Sequence, residues 1–111
     1  MTKELRQQIY NKYNGHCAYC GCEIEYKEMQ IDHIIPKLFG GSNEIGNLNP
    51  SCRACNFYKG TFTIEEFRER VRSLRHGLLK IFIVKLALKY GILTYTSFDE
   101  KFYFEKLLEE K

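Results

Sequence analysis

The stretch IDHIIPKLFGGSNEIGNLNPSCRACN, Ile31 to Asn56, sets two ionisable groups, Asp32 and His33, side by side in an apolar run that Pro36 then breaks. Met29, Ile31, His33 and Ile35 alternate on one face, so Glu23 to Ile35 is predicted as a hairpin. Strict alternation points Asp32 and His33 to opposite faces. The strand is therefore expected to be distorted, or to end, at this dipeptide. Pro36 to Gly46 holds Pro, three Gly, Ser and Asn and reads as an irregular loop. Leu48 to Pro50 suits a short extended piece. Cys52 to Tyr58 suits a short helix that stops at Lys59-Gly60.

The cysteines bracket this stretch. Cys17-Ala18-Tyr19-Cys20 and Cys52-Arg53-Ala54-Cys55 are two C-x-x-C pairs, and 31 residues lie between them. That gap exceeds the common zinc-ribbon spacing, but it fits if the insert is itself folded. Four thiolates complete a tetrahedral zinc shell and leave no open position, so the site is predicted to be structural. Gly21 frees the backbone to wrap around the Cys20 sulfur. Cys22 makes five cysteines, an odd number that argues against a pure disulfide framework; it is expected to be a spare thiol. The cage draws the ends of the insert together. Asp32-His33, Asn47 beyond the loop and Asn56 beside Cys55 can then converge, although they are distant in sequence. Taken singly, these residues have plainer readings: a core histidine, turn formers and caps.

Further out, Leu5, Ile9 and Tyr13 repeat at helical spacing, so Thr2 to Asn14 is predicted as a helix stopped by Asn14-Gly15. Thr63 and Glu66 form a capping box. Behind it Phe67, Val71, Leu74 and Leu78 mark one helical face, with Arg68, Arg72 and Arg75 along the next. Gly77 is expected to separate this helix from another. In that second helix Leu79, Phe82, Ile83, Leu86, Ala87 and Tyr90 recur, and Gly91 closes it. Its apolar cover is nearly all-round, which predicts burial, although KIFIV also has strand character. The tail reads either as strands, ILTYT and KFYFE, or as a helix over DEKFYFEKLLEEK.

A chain of 111 residues fits one small domain whose core gains from a bound metal. With 44% apolar residues, eight Tyr and eight Phe, it is a folding sequence and not a disordered one. The net charge of +3 names no partner. Locally, however, Arg68 to Lys89 carries seven Lys or Arg against the single acid Glu69, a stretch able to attract a polyanion. No secretory pattern opens the chain, and Lys80, Lys85 and Lys89 interrupt its longest apolar region. The simplest expectation is a soluble cytoplasmic protein.

The motifs CAYCG, IDHIIPKLFGGSNEIGNLNPSCRACN and YKG, in this order and spacing, resemble those of HNH endonucleases of the four-cysteine, zinc-binding type. The resemblance runs from about Asn11 to Gly60. The C-terminal half looks only weakly like small stand-alone members, many encoded by phages or mobile elements. The resemblance implies an α+β fold in a single domain, 1–111. A zinc-stabilised ββα-metal (His-Me finger) core with an N-terminal helix would take residues 1–60, and a mainly helical extension residues 61–111. It also implies roles. His33 would activate water, Asp32 and Asn56 would bind a divalent cation such as Mg²⁺ or Mn²⁺, and Asn47 would brace the loop and the base. Asn56 stands where the family often has histidine, which favours the harder ions. DNA is the implied substrate, cut to 5′-phosphate and 3′-hydroxyl ends. Lys37, Lys59, Arg68, Arg72 and Arg75 are candidate phosphate contacts, with exposed surface lysines as the plainer reading of the first two. Two rival readings stand. One is a non-catalytic zinc module binding nucleic acid or protein, which would have no use for the Asp32, His33, Asn47 and Asn56 set. The other is a partner-dependent subunit, for instance in phage genome processing, docking through the apolar C-terminal half.

Overall fold

The computed structural model describes residues 1–110. Helix α1 spans Lys3–Asn11, and Thr2 caps it by accepting from the Leu5 amide at 3.1 Å. Its inward face carries Ile9, fully buried, with Leu5, Tyr10 and Tyr13 packed beside it. The turn after it passes through positive φ at Asn14 and Gly15, as the Asn-Gly pair predicted.

Strands β1, Gln30–His33, and β2, Leu48–Ser51, pair antiparallel with Asp32 opposite Asn49 and His33 opposite Leu48. Helix α2, Arg53–Lys59, follows directly. This strand, loop, strand, helix order is the small ββα-metal arrangement, and with the surrounding helices the fold is α+β.

The predicted hairpin within Glu23–Ile35 is not formed. Glu23 makes only an isolated bridge to His16, Tyr26–Glu28 is a 3₁₀ turn, and the partner of β1 lies across the loop. The cause is α1. Its side chains take carbonyls that a hairpin would need: Tyr10 Oη donates to Ile24 O at 2.7 Å, and Arg6 donates to Tyr26 O and Met29 O at 2.9 and 3.1 Å.

The C-terminal half closes the core. Helix α3, Ile64–Arg72, starts at the predicted capping box, with both reciprocal bonds present. It buries Phe67, which stacks on Phe102 at 5.0 Å between centroids. Both rings meet Tyr19 edge-on, at 5.3 and 5.4 Å. Such pairs contribute about 0.5–1.5 kcal/mol each beyond area burial. The Tyr103 and Phe104 amides then donate to Tyr19 O and Ala18 O, at 3.1 and 2.8 Å, as helix α6, Tyr103–Glu109, begins. Of the two readings of the tail, the helix over DEKFYFEKLLEEK is the one formed, from Tyr103 to Glu109; ILTYT forms no strand, and Lys111 lies outside the described residues.

Helices α4, Leu74–Leu78, and α5, Phe82–Lys89, lie between. Gly77 sits inside α4; the predicted helix breaks earlier, at Ser73, and the next break falls at Leu79–Ile81. Nor is α5 buried as expected. Phe82 and Ile83 are 72% and 74% exposed. Only Val84, Ala87 and Leu88 are half-covered, against the groove beside Leu74, Leu78 and Leu93. Periodicity supplied the helix, but no second layer among the described residues covers its outer face. No helix among those residues is long and apolar enough to cross a membrane.

Candidate functional site

The four predicted cysteines converge. The Sγ atoms of Cys17, Cys20, Cys52 and Cys55 all lie within 4.8 Å of one another, and those of Cys20 and Cys52 are 3.9 Å apart. A tetrahedral thiolate site with Zn–S of about 2.3 Å has sulfur–sulfur edges of about 3.8 Å, so the spacing suits a metal of that class. Backbone geometry makes it possible. Gly21, at φ 81°, turns the chain so that its amide donates to Cys17 O at 3.0 Å. Cys52 is the N-cap of α2, its sulfur accepting from the Cys55 amide at 3.4 Å.

Crowding spreads the thiol acidities apart. A hydrogen bond from Cys55 draws Cys17 down to about 4 against the cost of burial. Burial, with the Cys17 charge added, pushes Cys20 up to about 12. Cys55 moves far up, first through its hydrogen bond to Cys17 and then through burial. One thiol ionises easily and its neighbours resist; a dication would let all four ionise together. Cys22 is exposed and is not one of the four converging thiols, but it lies beside them, within hydrogen-bonding reach of Cys20 and Cys52.

The loop after β1 is stapled by Asn47. Its Nδ2 donates to Ile35 O and Ser42 O at 3.1 and 2.8 Å, while its Oδ1 accepts from the Ile35 amide at 2.8 Å. Gly41 packs into the same knot, where an added Cβ would lie 1.7 Å from Ile35 O. Gly41→Ala should therefore force the loop apart and destabilise the fold by about 1–3 kcal/mol in a urea melt. An unchanged midpoint would mean that the loop shifts freely.

Half-buried His33 ends the strand, as predicted. Asn47 braces its loop but is not the partner of its ring. That partner is Asn43, whose Oδ1 lies 2.8 Å from His33 Nε2. With the Asn43 oxygen on this side, the matching tautomer of a neutral ring has Nε2 donating to Asn43 and its lone pair on Nδ1. Sequence reading passed over Asn43 because an Asn after Gly-Gly-Ser reads as a turn former.

Asp32 points the other way, inward, and is 4% exposed. Its Oδ1 accepts from Lys59 Nζ at 3.0 Å, and its Oδ2 accepts from the Tyr19 hydroxyl. Burial raises the Asp32 pKa, with the Tyr19 hydrogen bond and the Lys59 charge opposing it. Lys59 Nζ also donates to His33 O at 3.1 Å. Lys59 is 0% exposed, which removes it from the surface phosphate contacts expected of it. A lysine before a helix-ending glycine reads as solvated, and nothing local marked it as buried. Half-buried Asn56 stands three residues earlier on α2, on the same face as Lys59.

Two of the three candidate arginines are already paired with acids. Arg68 forms a two-pronged pair with Glu105, both bonds 2.7 Å, plus one with Glu65 at 3.1 Å, and its side chain is 11% exposed. Arg72 pairs with Glu69 and Glu100. Arg75 lies over the Tyr95 ring at 4.6 Å. The positive helix face is thus largely neutralised at Arg68 and Arg72 by acids distant in sequence. Lys37 remains exposed, in the 3₁₀ turn Lys37–Phe39 that follows Pro36.

A family model described as HNH endonuclease matches residues 17–72. Over 56 residues, 50% of the chain, the sequence is 41% identical to the CRISPR-associated endonuclease Cas9 of Corynebacterium diphtheriae, of which it covers 5%. It is 31% identical over 72 residues to the SPbeta prophage-derived HNH endonuclease YoqL of Bacillus subtilis, covering 55% of this chain and 30% of that protein. It is 40% identical over 61 residues to the Septu protein PtuB of Bacillus thuringiensis, covering 51% and 24%. The crystal structure of the Type II-C Cas9 from Actinomyces naeslundii aligns with 62% of this chain and 10% of its own, at 30% identity and a TM-score of 0.47. The chain thus spans less than a third of each of these proteins.

Proposed function

Since the chain belongs to the HNH endonuclease family, whose model covers residues 17–72, we propose that it hydrolyses internal phosphodiester bonds of DNA with His33 as the general base. The carrying observation is the hydrogen bond from His33 Nε2 to Asn43, which leaves Nδ1 free on a half-exposed ring. Similarity to relatives named as endonucleases supports the reaction class.

His33 Nδ1 takes a proton from water, and the resulting hydroxide attacks phosphorus in line. The bond to the 3′ oxygen breaks, that oxygen takes a proton from solvent water, and the ends are 5′-phosphate and 3′-hydroxyl. Asp32 and Asn56 are the residues that would hold Mg²⁺ or Mn²⁺. A carboxylate offers about four acceptor directions; Tyr19 and Lys59 take one on each oxygen of Asp32, which is 4% exposed, so an ion there would have to use the remaining directions beside the Lys59 ammonium. When bound, such an ion supplies positive charge to the leaving oxygen. The Asn47 staple holds the loop that carries Asn43, and so acts on the base through the loop. Cys17, Cys20, Cys52 and Cys55 hold zinc as a structural ion. Residues 1–111 act as one unit in the cytoplasm. The test is nicking of supercoiled plasmid with Mg²⁺ or Mn²⁺, wild type against His33→Ala.

Lys37 is the phosphate contact that the fold leaves free, with Arg75 a secondary one. Lys37→Ala should weaken binding about equally on unrelated DNA sequences and lower the salt slope of log K by about 1. A sequence-selective loss would place Lys37 on a base edge instead.

One observation favours a second reading alongside the first, that of a partner-dependent subunit, such as one of phage or mobile-element origin. The outer face of α5 exposes Phe82, Ile83, Leu86 and Tyr90 beside Lys85 and Lys89. A face of this kind is more apolar than a free surface usually is. This reading expects weak cutting alone and strong cutting with the partner.

A further inference from the structure

The four thiols meet at one point, and each cysteine pair also reaches Asp32 by its own route. Tyr19 lies between Cys17 and Cys20. Its ring is held edge-on by Phe67, Phe102 and Phe104, at 5.3, 5.4 and 5.9 Å, and its hydroxyl ends on Asp32 Oδ2. Asn49, opposite Asp32 on β2, donates to the same hydroxyl at 3.4 Å. From the other side comes α2, whose first turn carries Cys52 and Cys55. Its last residue, Lys59, runs wholly buried to Asp32 Oδ1 and to the carbonyl of His33.

We infer that Tyr19 and Lys59 are positioning residues that carry the rigidity of the metal-binding cage to His33. The inference rests on the nuclease reading for its consequence and on geometry for its substance. β1 ends at His33, so the next residues have no ladder of their own beyond the Ile34 amide bond to Asn47 O at 2.9 Å. The bond from Lys59 to His33 O fixes the peptide at that point. Asp32 in turn fixes the ammonium, and Tyr19 fixes Asp32. A buried ion pair is weak ground for stability, because desolvation offsets much of the attraction. An apolar pair of the same volume would fill the space as well, but it would leave the His33 carbonyl without the Lys59 donor, and the strand end held only from the Asn47 side. Orientation of the base is what the polar arrangement adds, and small misplacements of a reacting group cost up to about a hundredfold in rate.

The test compares wild type, Tyr19→Phe and Lys59→Met as zinc-loaded protein. Three quantities are read: zinc content with melting temperature, the His33 imidazole ¹H–¹⁵N resonances, and kcat and KM for plasmid nicking. Tyr19→Phe removes one oxygen and keeps the ring packing, so it should stay folded and metal-bound. Its His33 resonances should shift, and kcat should fall about tenfold or more with KM for DNA unchanged. Lys59→Met should move the same resonances in a folded fraction. Unchanged His33 resonances and kcat in zinc-loaded, folded Tyr19→Phe would overturn the inference. If wild type cuts nothing while both variants still move the His33 resonances, the nuclease reading fails and the positioning role stands.

Discussion

Removing the metal from the four-cysteine cage, or replacing Cys55 by serine, should unfold the protein at room temperature. The magnitudes decide this. Zinc held by four thiolates contributes about 10–16 kcal/mol of folding free energy at neutral pH, while whole domains are stable by only about 5–15 kcal/mol. The core is small: among the described residues its cluster holds nine buried residues, three of which, Cys17, Ala18 and Tyr19, belong to the first knuckle itself. Without the ion four sulfurs crowded within 4.8 Å of one another have no common partner. Loss of the knuckle would also release Tyr19 from the Phe67–Phe102 stack and free α2 from the sheet. The check is a chelator titration followed by circular dichroism, with zinc measured in the released fraction. Cys55→Ser should behave like the stripped protein, and Cys22→Ser like wild type. A chelated protein that keeps its spectrum and melting temperature would mean that the cage is not structural.

What the sequence made legible, and what it hid, follows from the range of each interaction. The cage was legible because C-x-x-C is a local pattern with one common geometric use. The starts of α1 and α3 were legible because Thr2 and Thr63 bond to amides three residues away. Hidden features depend on residues far apart in the chain. Arg68 and Arg72 read as a free positive face, yet Glu105 and Glu100, 37 and 28 residues on, occupy them. The partner of β1 was missed because α1 side chains, not the strand's own pattern, withdraw the nearer carbonyls. Lys59 was misplaced because burial of an ammonium is decided by Asp32, 27 residues back. The exposure of α5 was missed because a periodic pattern says which face is apolar and not what covers it. At the site, Asp32 and His33 on opposite faces did obey strand alternation. Of the two outcomes expected, a strand distorted at the dipeptide or one ending there, the second is the one formed. The strand simply ends, with one group inside the core and the other at its edge.

That division of labour shapes the second large effect: His33→Ala should abolish metal-dependent plasmid nicking, lowering kcat by about 10²–10⁴-fold, with little change in DNA binding or stability. The loss falls on kcat because the proton leaves water only in the transition state, so the base adds nothing to ground-state affinity. Stability should hold because the ring is half-exposed and bonds only to Asn43, a loop residue. The strand-end bond from Lys59 uses the His33 backbone carbonyl, which alanine keeps. Asp32→Ala should behave differently. It strips the partner from the buried Lys59 ammonium and should cost about 3–5 kcal/mol of stability as well as activity. The two variants together therefore separate chemistry from scaffold. Measured on one plasmid substrate with Mn²⁺, and with melting curves alongside, His33→Ala should be folded and inert and Asp32→Ala inert and unstable. If His33→Ala cuts as fast as wild type, the base lies elsewhere and the nuclease mechanism proposed for this site is wrong. If it stays folded but binds DNA much more weakly, His33 is a phosphate contact and not the group that activates water.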